Sequence, residues 1–254
     1  MTEPQQDSFL SHLIELRQRL VRALAAVLVV CLVLLPWSRE IYTILAHPLM
    51  ASLPKGGQMI ATDVIGPFLV PLKVTLLLGF VVVLPYVLYE AWAFIAPGLY
   101  AHEKKLVLPL VVASFALFLL GMSFAYFLVF PIVFKFMASI APEGVAWMTD
   151  IDKYFSFVLT TFIAFGVTFE VPVVVIVLVR AGIVSIDKLK EIRPYVIVGA
   201  FVVGAIFTPP DVISQVLLAL PLWLLYEGGI VLARFVARPA GDVEQAPETD
   251  AGTK

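Results

Sequence analysis

Charged side chains in this chain are gathered into clusters, leaving long intervals that hold none at all: residues 23–38, 74–89, 106–134, 154–169, 194–210 and 212–226. A span of the roughly 30 Å hydrocarbon core takes about 20 mostly apolar residues, because a helix rises about 1.5 Å per residue. The first four intervals reach that length once their flanks are counted. Hydrophobic residues make up 61% of the chain and charged residues 14%, against about 25% charged in an ordinary soluble domain. So little polar surface cannot wrap a water-soluble globule. The pattern therefore predicts an all-α polytopic membrane protein with six transmembrane helices. Cys31 is the sole cysteine, which excludes an intramolecular disulfide or a cysteine metal cluster. Residues 1–8 are polar and no small-residue cleavage pattern follows the first apolar run, so that run is expected to stay in the mature protein.

Basic residues set the expected orientation. Of the seventeen Lys and Arg, twelve fall on the side of the amino terminus and five on the other: Arg39, Lys55, Lys73, Lys135 and Lys153. The positive-inside rule then puts both termini in the cytoplasm and makes the number of crossings even. Residues 1–238 are expected to form one membrane domain. The small, polar, acidic stretch 239–254 is expected to be a disordered cytoplasmic tail. Two longer outer segments are predicted at 39–66 and 131–153, with turns at Pro54-Lys55-Gly56-Gly57 and Pro142-Glu143-Gly144. The last two apolar runs, 195–207 and 216–226, are short for a bilayer. Thr208-Pro209-Pro210-Asp211 separates them, with prolines to end one helix and begin the next and an acid to cap the new amides.

Several polar residues stand out against this background. Phe9, Leu13, Leu16 and Leu20 recur at helical spacing while His12, Glu15, Arg19 and Arg22 line another face, as in a helix lying at the interface. Spacing alone assigns Glu15 to an i,i+4 ion pair with Arg19. Residues 94–103 read as a cytoplasmic loop in which Pro97 and Gly98 force a turn and Glu103 precedes Lys104 and Lys105. Glu103 is either a solvated loop acid or, with Glu15, half of an acidic pair suited to a dibasic ligand. Glu170 interrupts an apolar run, with Pro172 two residues on. A lone intramembrane acid must meet a partner, a polar cavity or water, be protonated, or cap a break in the helix. Glu90 and Glu227 sit nearer the predicted cytoplasmic ends, where snorkelling or interfacial hydrogen bonds suffice. Asp211 and Gln215 are one turn apart; capping accounts for the first, and the amide of the second suits a hydrogen bond to another membrane helix. No HExxH, GxSxG or glycine-rich phosphate loop occurs, so no enzymatic activity, metal, cofactor or nucleic acid is expected. From the residues alone, a proton- or cation-coupled small-solute transporter using Glu170 stays open.

Five segments in series, SHLIELRQRL (11–20), MIATDV (59–64), WAFIAPGLYAHEKK (92–105), FGVTFEVPV (165–173) and RPYVIVGAFVVGAIFTPPDVISQ (193–215), resemble the signatures of the TatC family of the twin-arginine translocase. The resemblance covers about residues 9–235. It implies a glove-shaped six-helix protein of the bacterial cytoplasmic (inner) membrane. Such a protein receives twin-arginine signal peptides of folded cargo, self-associates, and works with single-span TatA and TatB type subunits under the protonmotive force. On that resemblance Glu15, Arg17, Phe94, Pro97 and Glu103 form the signal-binding patch and Glu170 is the family's intramembrane acid. Pro48 serves assembly, and Thr208, Asp211 and Gln215 form a docking edge for partner helices. Glu90 stands where the resemblance implies a neutral amide, and Glu191 makes the second cytoplasmic loop less basic than it implies.

Overall fold

The computed structural model describes residues 4–52, 59–99, 107–140, 148–207 and 212–236. Helix α1 (Pro4–Leu34) carries the amphipathic segment straight into the first apolar interval, since no proline or glycine interrupts it after Pro4. Pro36 ends it in a 3-10 turn, Leu35–Trp37, and α2 (Ser38–Ser52) follows. Strand β1 (Met59–Ile60) leads to α3 (Gly66–Leu99), which packs along α1. Pro97 and Gly98 do not break α3, contrary to the expected turn there. A proline in the last turn removes a single backbone bond at an end where carbonyls are unpaired anyway, so the helix carries on to Leu99.

Helix α4 (Val107–Phe124) passes through a π-helical stretch, Ala125–Val129, into α5 (Phe130–Ile140). The Phe130 amide bonds back to Ala125 O, and this wider turn makes room for the ring of Pro131, which would meet a carbonyl of the preceding turn in a regular helix. The helix therefore runs on to Ile140, past Pro131, where the second outer segment was expected to begin. Strand β2 (Thr149–Asp150) pairs in parallel with β1, Met59 opposite Thr149 and Ile60 opposite Asp150. These two-residue strands tie the two segments expected to be outer to each other and were not predicted.

Helices α6 (Ile151–Phe169) and α7 (Val171–Arg180) form one span with a break at Glu170. Pro172 has no amide to continue the ladder, so the break is where its ring requires it. The span ends at Gly182, whose φ of 68° is the left-handed conformation that favours glycine. There Ile183 N bonds Leu178 O at 3.1 Å and Gly182 N bonds Val179 O at 3.0 Å. The Ser185 side chain then caps α8 (Ile186–Glu191), followed by α9 (Arg193–Phe207) and α10 (Val212–Val236). Among the described residues five helical segments are long and apolar enough to cross a membrane, and α9 is a shorter apolar helix. Of the last two apolar helices, both expected to be short, only α9 is so: α10 runs for 25 residues, through the ion-paired Glu227.

The core is aromatic: Phe130, Phe155 and Phe165 are fully buried, with Phe134, Tyr154 and Phe162 packed around them. Leu24, Leu28, Leu32, Phe127, Val167 and Leu224 point outward, as expected where lipid is the solvent. Lipid tails are as apolar as leucine, so close packing rather than water exclusion joins the helices. At the crossing of α4 and α6, a Cβ on Gly121 would lie 2.5 Å from Phe165 O, and one on Gly166 2.5 Å from the Phe118 ring.

Candidate functional site

Glu15 and Arg19 lie one turn apart on α1, where the helix enters the apolar interval. Arg19 donates from Nε at 3.0 Å and from Nη2 at 2.6 Å to Glu15 Oε1. Its remaining terminal nitrogen, Nη1, donates to Glu90 Oε2 of α3 at 3.0 Å, and Tyr86 OH donates to Glu90 Oε1 at 2.8 Å. One guanidinium thus bridges two carboxylates from two helices. The Glu90 side chain is 7% exposed and that of Glu15 39%, so the two acids differ in access. Glu90 is locked into the α1–α3 interface and Glu15 faces outward. Arg17 is exposed and Phe94 is half-buried. Pro97 lies in α3 with its side chain outside the described ones, and Glu103 lies outside the described residues. Glu90 and Arg19 are the members that sequence reasoning missed as a unit. The i,i+4 pair is visible in spacing, but a contact between residues 71 apart leaves no local signal.

Glu170 sits at the break between α6 and α7 with no side-chain capping bond. Both carboxylate oxygens are buried and without a hydrogen-bond partner among the described residues. The fully buried hydroxyl of Ser114, on α4, lies alongside; it accepts from Trp92 Nε1 at 3.1 Å. Of the surroundings open to this acid in the sequence, the structure gives a helix break beside a serine. An apolar groove of about 650 Å³ runs past the break, lined by Leu117, Phe124, Phe169, Pro172, Pro221 and Leu225 among others.

The other end of the molecule is organised by Asp150. Its Oδ1 accepts the Asp152 and Lys153 amides at 2.9 and 3.1 Å, capping α6. Its Oδ2 accepts the Thr62 amide at 2.9 Å and the Thr62 hydroxyl. The Thr62 hydroxyl, then the Thr62 and Lys153 amides, hold this carboxyl down from its ordinary 3.8 to about 2. Lys73 and Asp152 pair beside it at 2.6 Å. Gln215 Nε2 donates to Phe201 O at 3.0 Å, tying α10 to α9, and Arg193 Nη2 meets Glu227 at 2.6 Å toward the far ends of the same two helices. Thr208 and Asp211 lie outside the described residues; Pro48 lies in α2, with its side chain outside the described ones. Among the described residues no group of three or more His, Cys, Asp or Glu could hold a metal ion.

Apolar crossings, polar clusters at their two ends and a buried acid beside Ser114 at a helix break define a multi-pass membrane protein. More narrowly, the chain belongs to the TatC family of Sec-independent protein translocase proteins, whose family model matches residues 11–221. It is 56% identical over 220 residues to a Sec-independent protein translocase protein TatC of Azotobacter chroococcum mcd 1, covering 87% of this chain and 86% of that one. It is 52% identical over 226 residues to that of Escherichia coli K12, covering 89% and 88%. A crystal structure of a twin-arginine translocase receptor, TatC, superposes with a TM-score of 0.76 at 40% identity, covering 89% of this chain and all of that one. The family is one of translocase components, not enzymes, and membership sets aside the small-solute transporter.

Proposed function

We propose that the Glu15 end of α1 is where this translocase subunit takes the paired arginines of a signal peptide borne by folded cargo. The observation that carries the reading is Arg19 itself. Two of its nitrogens already lie on Glu15, so a guanidinium fits this carboxylate, and Glu15 is open enough to water to receive another from outside. Arginine offers two parallel charge-assisted bonds where lysine offers a point charge, so the site selects arginine. Glu103 supplies the second acid, and Arg17, Phe94 and Pro97 complete the patch.

In this reading both termini face the cytoplasm and the chain resides in the bacterial inner membrane. TatA and TatB type helices dock at the edge formed by Thr208, Asp211 and Gln215. Pro48 serves assembly, Glu170 serves transport across the membrane, and the protonmotive force drives export. A water-exposed arginine–carboxylate pair contributes about 0.2–1 kcal/mol, so most of the affinity comes from the apolar part of the signal peptide and the acids supply discrimination.

Crosslinking of a paired-arginine and a paired-lysine peptide tests this. Glu15→Ala and Glu103→Ala should each cut capture of the arginine peptide severalfold while the weak lysine signal changes little. Intact discrimination in both variants would place the reader elsewhere.

A further inference from the structure

We propose that Glu90 is the positioning residue that makes Glu15 available, by holding Arg19 when an incoming arginine displaces it. The inference rests on the receptor reading above and assigns a task to a residue outside that patch. In the structure Glu15 is already partly occupied, because Oε1 takes two bonds from Arg19. An arginine arriving from solvent needs both carboxylate oxygens for its fork, so Arg19 has to withdraw. A guanidinium pulled from its only anion at a half-buried position would lose a charged partner without regaining water, and it would compete with the ligand instead.

Glu90 removes that competition. It already holds Nη1 of Arg19 at 3.0 Å, and its other oxygen is steadied by Tyr86 OH at 2.8 Å. It belongs to α3 and its side chain is 7% exposed, so it stays in place as Arg19 swings. Five guanidinium donors suffice for Arg19 to leave Glu15 and remain paired. The charges of the three bonded groups agree: two carboxylates and one guanidinium sum to a single negative charge, which Arg22, within electrostatic reach of Tyr86, offsets, so the cluster does not repel a cation while Arg19 is satisfied. A neutral side chain at position 90 would bring that sum to zero and leave Arg19 on Glu15.

The test is a double-mutant cycle on the full chain in nanodiscs, read by binding of a labelled paired-arginine peptide. Glu90→Gln should weaken binding about three- to tenfold, and Glu90→Asp, which keeps the charge, should recover part of the loss. In an Arg19→Gln background, where nothing competes for Glu15, adding Glu90→Gln should change binding by less than about twofold. If Glu90→Gln alone does not fold, Glu90→Asp takes its place in the cycle and should weaken binding with Arg19 present but not in the Arg19→Gln background. An equal loss from Glu90→Gln with and without Arg19, or no loss with Arg19 present, overturns the inference. Glu15→Gln separates the two levels. If it binds the peptide as the unaltered chain does, the receptor reading fails and this inference with it; if it weakens binding while Glu90→Gln does not, only the role of Glu90 fails.

Discussion

Asp150 performs two tasks with one carboxylate, capping α6 through Oδ1 and holding Thr62 through Oδ2. All four bonds favour the ionised form, so its folded value of about 2 lies below the ordinary 3.8. A depressed acid contributes stability that is fully present above its unfolded value and is lost as the pH falls through its folded value. The clamp should therefore hold unchanged from pH 8 down to about 5 and loosen only toward pH 2. Asp150→Asn should lower the thermal midpoint at pH 7 and at pH 5 by the same amount, and the gap to the unaltered chain should close near pH 2. A gap that survives at pH 2 would mean that the charge is not what joins the outer segments. Sequence reading at this scale caught residues whose peculiarity is local: Glu15 by its spacing to Arg19, Glu170 by its isolation among apolar neighbours. It did not catch Asp150 with Thr62 or Glu90 with Arg19, 88 and 71 residues apart, because a hydrogen bond between distant segments leaves no periodicity in either.

Among the elements, charge-free intervals located the membrane helices well, since burying charge in hydrocarbon is costly enough to govern composition. Helix ends were less legible. Prolines sit at real breaks at Pro36 and Pro172, but Pro97 and Pro131, read as a turn and as the start of an outer segment, lie inside helices. A π turn or a fraying last turn can absorb the missing amide, and nothing in the local sequence says which will happen. What fixes helix against helix is likewise hidden in single residues. Gly121 meets backbone, Phe165 O, at the distance where its Cβ would stand, and a carbonyl cannot rotate away as a side-chain tip can. Gly121→Ala should cost about 1–3 kcal/mol through overpacking, despite alanine's better helix propensity. Gly199→Ala, with nothing within 4 Å of the new methyl, should be neutral or slightly stabilising. Thermal unfolding in detergent distinguishes them, and an equally stable Gly121→Ala would show that α4 and α6 are free to separate.

For the whole molecule, orientation depends on whether α9 crosses. Five helical segments are long enough without it, and five crossings would put the termini on opposite sides. At 15 residues α9 spans about 22 Å, roughly 8 Å short of the hydrocarbon core. The mismatch costs only fractions of a kcal/mol per Å and is met by local thinning. Two ties argue that it crosses. Arg193 at the start of α9 pairs with Glu227 near the end of α10, and Phe201 further along α9 bonds Gln215 near the start of α10. The two helices therefore run side by side in opposite directions over their shared length. The segments around β1 and β2 are joined by that pairing and by Asp150, so they share one side, and from the twelve-to-five bias of basic residues we propose that the other side is the cytoplasmic one. In a background with Cys31 replaced, an impermeant thiol reagent should label Val64→Cys, which is 95% exposed, in intact cells. It should reach Ile183→Cys and Gly252→Cys only after the membrane is opened. Labelling of Gly252→Cys together with Val64→Cys from outside would mean that α9 turns back without crossing and that the chain has five spans, because the carboxy terminus would then share a side with the joined outer segments.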